Sequence, residues 1–365
     1  MRQAGKELGL DVVGFAPARR LPELEQHLAD LSAAGYLSRF LPGPLFAHTD
    51  PERVLPGARS IIVGALSYLC PVSPRALRDA KATHPLDIAH PAGRPSRLRG
   101  RLARYTWGPD YHPLLRRQLQ ELARRLPELS GEPVESVVLV DGGSLLDRAA
   151  AAAAGVGWIG KNGCLINPVY GSWIVLGQIV TTLMITPDEP LANRCGRCDR
   201  CLRACPTGAL VAPGVLDASR CVSEWTQRPG MVPVELRRDF GNFIFGCDIC
   251  QEVCPWNAKA RPGKGGSPLG APVDEDSAFP PLAQFLEPSR RVEERIRGRA
   301  HGWRGARVLQ RNAIIALGNS ADPSAIPLLR RFARHPSPVL SSHARWALAQ
   351  LGASEHDPAD LSPRE

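Results

Sequence analysis

Cys195-Gly-Arg-Cys198-Asp-Arg-Cys201-Leu-Arg-Ala-Cys205-Pro206 spaces four thiols as C-x2-C-x2-C-x3-C and closes on a proline. Bacterial two-cluster ferredoxins hold iron–sulfur cubanes with this run, and its fourth cysteine ligates the other cluster because the proline turns the chain away. Further on, Cys247, Cys250 and Cys254 repeat the ending, C-x2-C-x3-C followed by Pro255. The second run lacks a nearby leading cysteine, and Cys221 supplies one from across 25 intervening residues. The spacing predicts one [4Fe-4S] cluster on Cys195, Cys198, Cys201 and Cys254 and another on Cys205, Cys221, Cys247 and Cys250.

Other chemistries compete for these thiols. Eight clustered cysteines in a chain with no secretory signal point to metal in a reducing compartment rather than to disulfides. Zinc suits C-x2-C pairs, but its sites normally draw on two separated pairs, whereas three cysteines at strict x2 spacing ahead of x3-C-P wrap the corners of a cubane. The remaining two, Cys70 and Cys164, are isolated and read as core or near-core thiols.

At 365 residues the chain is too long for one small core, and two or three domains are expected. A charged fraction of 22% with 44% hydrophobic residues describes an ordinary soluble protein. No stretch approaches the roughly 18 uninterrupted apolar residues of a membrane span. Met1-Arg-Gln-Ala-Gly-Lys6 lacks the apolar core of a signal peptide. A cytoplasmic protein without a membrane partner is expected. The net charge of +9, with Arg far outnumbering Lys, favours a polyanionic partner such as nucleic acid, although GC-rich coding alone also yields an Arg-rich surface.

In chain order, a helical start through Leu8 precedes the short apolar run Asp11–Phe15 and a helix from Leu21 to Ala34. Ser60–Leu69 is continuous and apolar, as in a strand buried on both faces. Pro71–Arg101, rich in Pro, Arg and His without periodicity, reads as a loop or flap. Asp110-Tyr-His-Pro113 opens a helix running to about Leu126. Ser136–Val140 reads as a buried strand that delivers Asp141 to its carboxyl end beside Gly142 and Gly143, where ligands sit in α/β architectures. Ser144-Leu-Leu-Asp147 reads as a capping box opening a helix through Ala149–Ala154.

Gly155–Gly160 contains a formal G-x-G-x-x-G, but it follows a helix where a dinucleotide fingerprint must follow a strand. Its glycines make a turn or let backbone approach a large flat ligand. Trp173–Ile185 is a further apolar, β-branched run, so the first domain is expected to be a mixed α/β sheet. Residues 257–281 read as a linker. Arg290–Arg311 then carries eight arginines against two glutamates, the sharpest basic patch in the chain. Ala313-Ile-Ile-Ala-Leu317 and Ala344-Arg-Trp-Ala-Leu348 share A-x-x-A-L, 31 residues apart, which fits a HEAT-like helical repeat or a small helical cap. The expected fold is α+β and multidomain: a mixed α/β domain over 1–185, a ferredoxin-like two-cluster domain over 186–260, and a linker with HEAT-like helices over 261–365.

Two clusters within electron-transfer distance make a wire. A ferredoxin-type carrier is the simplest such protein, but the 194 residues ahead of Cys195 exceed a carrier's needs. A reductase whose first domain holds a flavin or a cobalamin fits one-electron clusters better than a nicotinamide enzyme does. Sequence physics leaves those two cofactors open.

Trp107-Gly-Pro-Asp-Tyr-His112, Val140-Asp-Gly-Gly143, Gly157-Trp-Ile-Gly-Lys-Asn162, Tyr170-Gly-Ser172, the eight cysteines, Gly246-Cys-Asp-Ile-Cys250, Cys254-Pro-Trp-Asn257 and Gln310-Arg-Asn-Ala-Ile-Ile-Ala-Leu317 together resemble the epoxyqueuosine reductases, in order and over almost the whole chain. The resemblance implies a base-off cobalamin in the first domain, two [4Fe-4S] clusters that reduce it, and epoxyqueuosine at the tRNA wobble position as substrate, with queuosine as product. The reduced corrinoid would attack the epoxide, and Asp141 would donate the proton that the opening ring needs. The bland reading of Asp141 is a turn-forming or helix-capping acid.

Gly160, Lys161, Ser172, Ser223 and Asp248 match positions of the corrinoid pocket. Their ordinary alternatives are a turn glycine, a solvated Lys, hydroxyls satisfying backbone and an acid between two cluster ligands. Gln227, Arg228, Trp303, Arg304, Arg307, Gln310 and Arg311 match the tRNA-binding region, where Arg pairs phosphates bidentately and shape selects the stem. A low-potential donor such as flavodoxin or ferredoxin is implied, acting on a monomer. Glu224, Trp225, Phe245 and His48 depart from the family pattern. Reductive dehalogenases share the cysteine pattern, but would have no use for an Arg-rich helical tail.

Overall fold

The computed structural model describes residues 1–41, 43–70, 98–142, 144–263, 269, 271–272 and 276–355. Most of the segment read as a flap, Pro71–Arg101, lies outside the described residues. The chain packs into two units: Met1–Cys70 with Gly108–Cys221 and Asp248–Ala271, and Pro71–Trp107 with Val222–Cys247 and Pro272–Glu365. The expected boundaries after residues 185 and 260 do not coincide with these, since the cysteine region is shared between the units.

The first unit is built on a four-stranded sheet in the order Val12–Pro17, Ser60–Ser67, Ile174–Thr181, Ser136–Leu139. Its two inner strands are buried along their whole lengths, as unbroken apolar runs predict for strands covered on both faces. The α/β layering is as expected, but every neighbouring pair is antiparallel, so the crevice of open parallel sheets is not what positions Asp141. Ser136–Leu139, expected to be buried, is a half-buried edge strand.

The helix Tyr111–Ser130 covers one face. Leu115, Leu119, Leu122 and Leu126 recur every three or four residues and are fully buried. The approach is close because Gly64 and Gly177 lack side chains; an added Cβ would stand 2.7 and 2.6 Å from the Leu119 methyls. Asp110 caps this helix by accepting from the His112 backbone N–H at 3.1 Å. On the other face lies the helix Asp147–Ala153. It starts at Asp147 after an N-cap Leu146 that makes no side-chain cap. The capping box expected at Ser144–Asp147 therefore does not form, because the N-cap falls on Leu146, two residues past Ser144.

In the second unit the helices Ala306–Asn319, Ile326–Ala333 and Pro338–Gln350 stack around Ala313, Ile314, Leu317, Ala344, Ala347 and Leu348, all buried. A Cβ on Gly318 would meet Ala347 at 2.8 Å, so small residues set this interhelical distance. No helix among the described residues is long and apolar enough to cross a membrane.

Candidate active site and cluster region

The edge strand ends on buried Val140, and the chain then turns through Asp141 with φ 45°, a left-handed conformation that a non-glycine residue adopts only where its surroundings hold it. The turn lifts the carboxylate over the start of the Tyr111–Ser130 helix. There the Tyr111 hydroxyl donates to Asp141 Oδ2, and His112 Nε2 lies 3.2 Å from the same oxygen. The other ring nitrogen, His112 Nδ1, is 2.6 Å from Asp110 Oδ1, and the Tyr111 and His112 rings stack with centroids 4.1 Å apart.

Nearly half of the Asp141 side-chain surface is accessible, while the Tyr111 hydroxyl and the His112 ring cover the Oδ2 side. Desolvation there pushes its carboxyl up to about 6, opposed by Arg148 and assisted by Asp110. Asp147, on the next helix, is pushed up to about 7 by burial and by the charge of Asp141, against a hydrogen bond from Gln178 Nε2 at 3.0 Å. Asp110 stays below the ordinary carboxylate range: burial raises it, but the His112 ring and backbone N–H hydrogen bonds outweigh that. Carboxyls with opposite tendencies flanking one imidazole are the ingredients of acid–base chemistry. The sequence reading assigned a role to Asp141 alone. Tyr111, His112 and Asp110 were missed because the contacts join residues about 30 positions apart, with an ionisable Asp-Tyr-His at a helix start as the signal available, and Asp147, six positions on, because it was assigned to a capping box.

The cysteines of the first unit gather where the helices Arg200–Ala204 and Ile249–Glu252 pack together, with Pro255 opening the next turn directly after Cys254. The Cys201 and Cys254 thiols are pushed up by burial and by neighbouring thiols: Cys201 feels Cys254 and Cys195, and Cys254 feels Cys195 and Cys198. Of the four thiols expected to share a cluster, Cys254 thus lies near the other three and Cys201 near Cys195 as well. Among the described residues no three His, Cys, Asp or Glu side chains converge on a single-ion site. Cys164, read as an isolated core thiol, instead hydrogen-bonds Cys250, which holds its thiol down to about 7.

Of the residues matched to a corrinoid pocket, Gly160 is buried where a Cβ would meet Ile166 at 2.5 Å, so its missing side chain serves local packing. Lys161 gives one of its three N–H donors to the Gly196 carbonyl at 2.7 Å. Buried Ser172 donates to Gln251 Oε1 at 2.8 Å and accepts from Asn257 Nδ2 at 2.8 Å, while Gln251 Nε2 donates to buried Asp248 at 3.1 Å. Gln251 and Asn257, which the sequence reading did not single out, tie two of the expected residues into one network. Ser223 lies in the second unit on the helix Val222–Gln227, its carbonyl accepting from Thr226 and Gln227 side chains.

The residues matched to tRNA binding divide sharply. Trp303 is 56% exposed, Arg304 stacks over its ring at 3.6 Å, and Trp303 Nε1 donates to Gln227 Oε1 at 3.3 Å. Arg307 is exposed on the helix that follows. Arg311, by contrast, is 1% exposed and donates to the carbonyls of Trp225, Arg228 and Gly230 at 2.6–2.8 Å. Burial and the nearby Arg237 lower its pKa to about 9. Gln310 is spent on the Glu287 carbonyl, and Arg228 on buried Glu224 and the Trp225 ring. Arg311, Gln310 and Arg228 therefore act as braces in this structure, leaving Arg307 exposed and Arg304 half-buried against the Trp303 ring.

Residues 194–257 match a family model described as a 4Fe-4S double cluster binding domain, and residues 305–363 match one described as HEAT repeats. With the carboxyl–imidazole site of the first unit, this defines an iron–sulfur oxidoreductase carrying a helical repeat. Residues 48–142, which lead up to and include Asp141, match the model described as "Epoxyqueuosine reductase QueG, DUF1730". The chain is 39% identical to the epoxyqueuosine reductase of Bacillus cereus, over 95% of this chain and 87% of that one. It is 36% identical to the Pseudomonas aeruginosa enzyme, over 95% and 92%. It aligns with a TM-score of 0.85, at 36% identity, to a crystal structure of an epoxyqueuosine reductase with an epoxyqueuosine-modified tRNA-Tyr stem loop, covering 98% of this chain and 89% of that one. The chain belongs to the epoxyqueuosine reductase family.

Proposed function

We propose that this chain reduces epoxyqueuosine to queuosine at the wobble position of tRNA, taking electrons from a low-potential donor such as flavodoxin or ferredoxin through two [4Fe-4S] clusters. The reading rests on one observation above the others: in a chain of this family, Asp141 is held in a left-handed turn with its carboxyl pushed up to about 6. A carboxylic acid that keeps its proton near neutrality is the group an opening epoxide requires. Cys195, Cys198, Cys201 and Cys254 hold one cluster and Cys205, Cys221, Cys247 and Cys250 the other, in keeping with the nearness of Cys254 to the other three of the first set.

A corrinoid carries amide arms around an apolar ring, and groups of mixed polar character would meet those arms: the Asp141 carboxyl and the two ammonium protons that Lys161 does not give to Gly196, while Ser172 and Asp248, already hydrogen-bonded to Gln251, would keep acceptor capacity only. When bound, base-off cobalamin supplies a strong nucleophile for the epoxide carbon. The protein's own part is to hold Asp141 protonated against the departing oxygen. Trp303, Arg304, Arg307 and Gln227 form the tRNA-facing group, Arg for phosphate and Trp303 for stacking.

The direct test is nucleoside mass analysis of epoxyqueuosine-containing tRNA after incubation with reconstituted enzyme, cobalamin and a low-potential reductant; queuosine is expected, and unchanged epoxyqueuosine would overturn the reading. Asp141→Asn should retain both clusters and bound cobalamin while turnover falls by about 10²-fold or more. In the wild type, the donor form of Asp141 is depleted as pH rises through about 6, so kcat should decline from pH 6 to pH 8. A kcat flat over that range would remove Asp141 from the acid role.

A further inference from the structure

The reduction proposed above, on which this inference rests, takes oxygen from an epoxide: epoxide + 2 e⁻ + 2 H⁺ gives alkene and water. Both electrons come from the low-potential donor. One C–O bond opens with its pair left on oxygen, which takes the first proton; the other C–O bond breaks as oxygen takes the second and departs as water. A single carboxyl holds one proton, so Asp141 must be reloaded within each turnover.

We propose that Asp110, His112 and Asp141 form a proton relay in which His112 reloads Asp141. His112 Nε2 stands 3.2 Å from Asp141 Oδ2, and His112 Nδ1 stands 2.6 Å from Asp110 Oδ1. Asp110 is itself the cap of the Tyr111–Ser130 helix, so it is fixed by backbone as well as by the ring. Its carboxylate pins the proton on Nδ1, which leaves Nε2 as the nitrogen that exchanges a proton with Asp141. The ring is packed face to face on Tyr111 and cannot swing freely.

After Asp141 protonates the opening oxygen, the imidazolium Nε2–H passes its proton to Oδ2. The imidazole stays neutral with Nδ1–H on Asp110, and the restored carboxyl delivers the second proton. His112, about one-third exposed, then regains its proton from water. The other groups facing Asp141 are the Tyr111 hydroxyl, which donates to the same oxygen, and Arg148 and Asp147. Arg148 has no proton to give near neutrality, and among the described residues no hydrogen bond joins Asp147 to Asp141, its Oδ1 accepting instead from Gln178 Nε2. Among the described residues, His112 is thus the imidazole that touches both Oδ2 and solvent.

The test uses full-length enzyme with both clusters and cobalamin on epoxyqueuosine tRNA. His112→Ala is expected to lower kcat by about 10- to 100-fold with KM for tRNA unchanged, and added imidazole should restore much of the loss in a saturable way. Retained kcat, a loss that imidazole does not rescue, or an equal imidazole-independent loss in Asp147→Asn would overturn the relay. A wild-type enzyme unable to convert the tRNA would instead count against the parent reading. The relay keeps a readout of its own in that case: the carboxyl infrared titration of isotope-labelled Asp141, expected near pH 6, must move in His112→Gln. A midpoint left in place would show that the two groups share no proton.

Discussion

Asp141 and Asp147 are two acids six positions apart whose carboxyls are both pushed up, to about 6 and about 7. The cause in each is burial first, and in Asp147 the charge of Asp141 second. Between the ordinary carboxylate value of about 4 and these raised values the native state binds more protons than the unfolded chain, so stability falls as pH rises through that window. Asp147→Asn removes one of the two penalties while keeping an oxygen for Gln178. It should raise the first unfolding transition above pH 7 by on the order of 1–2 kcal/mol, after discounting for partial exposure, and leave stability at pH 4 unchanged. An equal effect at both pH values, in thermal melts, would place the cause in packing rather than ionisation. At this scale the sequence identified Asp141 but not its partners. A Tyr-His pair thirty residues earlier becomes part of the site only when the edge strand and the covering helix are laid together.

Among elements, the helix Ala306–Asn319 shows how sequence and structure part company. Its Arg-rich approach reads as one basic surface, and the helix was expected to offer Gln310 and Arg311 to phosphate along with Arg307. Burial separates them even though a spacing of four puts both on one helical face: Arg307, in the first turn, is exposed, whereas Arg311, one turn further on, is buried beside Asn312, which donates to the Thr226 and Ile244 carbonyls at 2.7 and 2.8 Å. Together they hold the segment after Val222–Gln227 by its backbone, a task that needs a planar multi-donor group and that Lys could not perform. Arg311→Ala should therefore cost about 3 kcal/mol or more of stability by leaving buried carbonyls without donors. Denaturation monitored by circular dichroism would reveal it, and a variant as stable as wild type would show Arg311 to be dispensable as a brace. Periodic elements with strong caps and apolar runs were legible in advance, including the helix from Tyr111 and the inner strands. The capping box at Ser144 failed because a local motif lost to the tertiary placement of Asp147.

For the whole molecule, part of the basic surface implied by the net charge of +9 lies beside exposed Trp303, where Arg307 is exposed and Arg304 half-buried. Replacing Arg304 and Arg307 with Gln should weaken tRNA binding and lessen its dependence on salt, by roughly one counterion for each phosphate left without its arginine. Binding isotherms at low and at physiological salt measure this, and an unchanged slope would mean that the patch faces something other than tRNA. Asp141→Asn should leave that slope alone, since the role proposed for the acid is proton donation and not phosphate binding.

The sequence by itself determined the cofactor chemistry of the thiols, the α/β and helical-repeat character, and one acid of the site, because those depend on local spacing and hydrophobic period. Cubane ligands in C-x2-C-x2-C-x3-C lie within one or two turns, so covalent reach fixes them. Only the tertiary structure decided which arginines meet solvent, which strands run antiparallel, and that Asp110, Tyr111 and His112 stand against Asp141. Such relations depend on burial and on contacts between distant segments, and burial is what raises the acid to the range in which it can give up a proton.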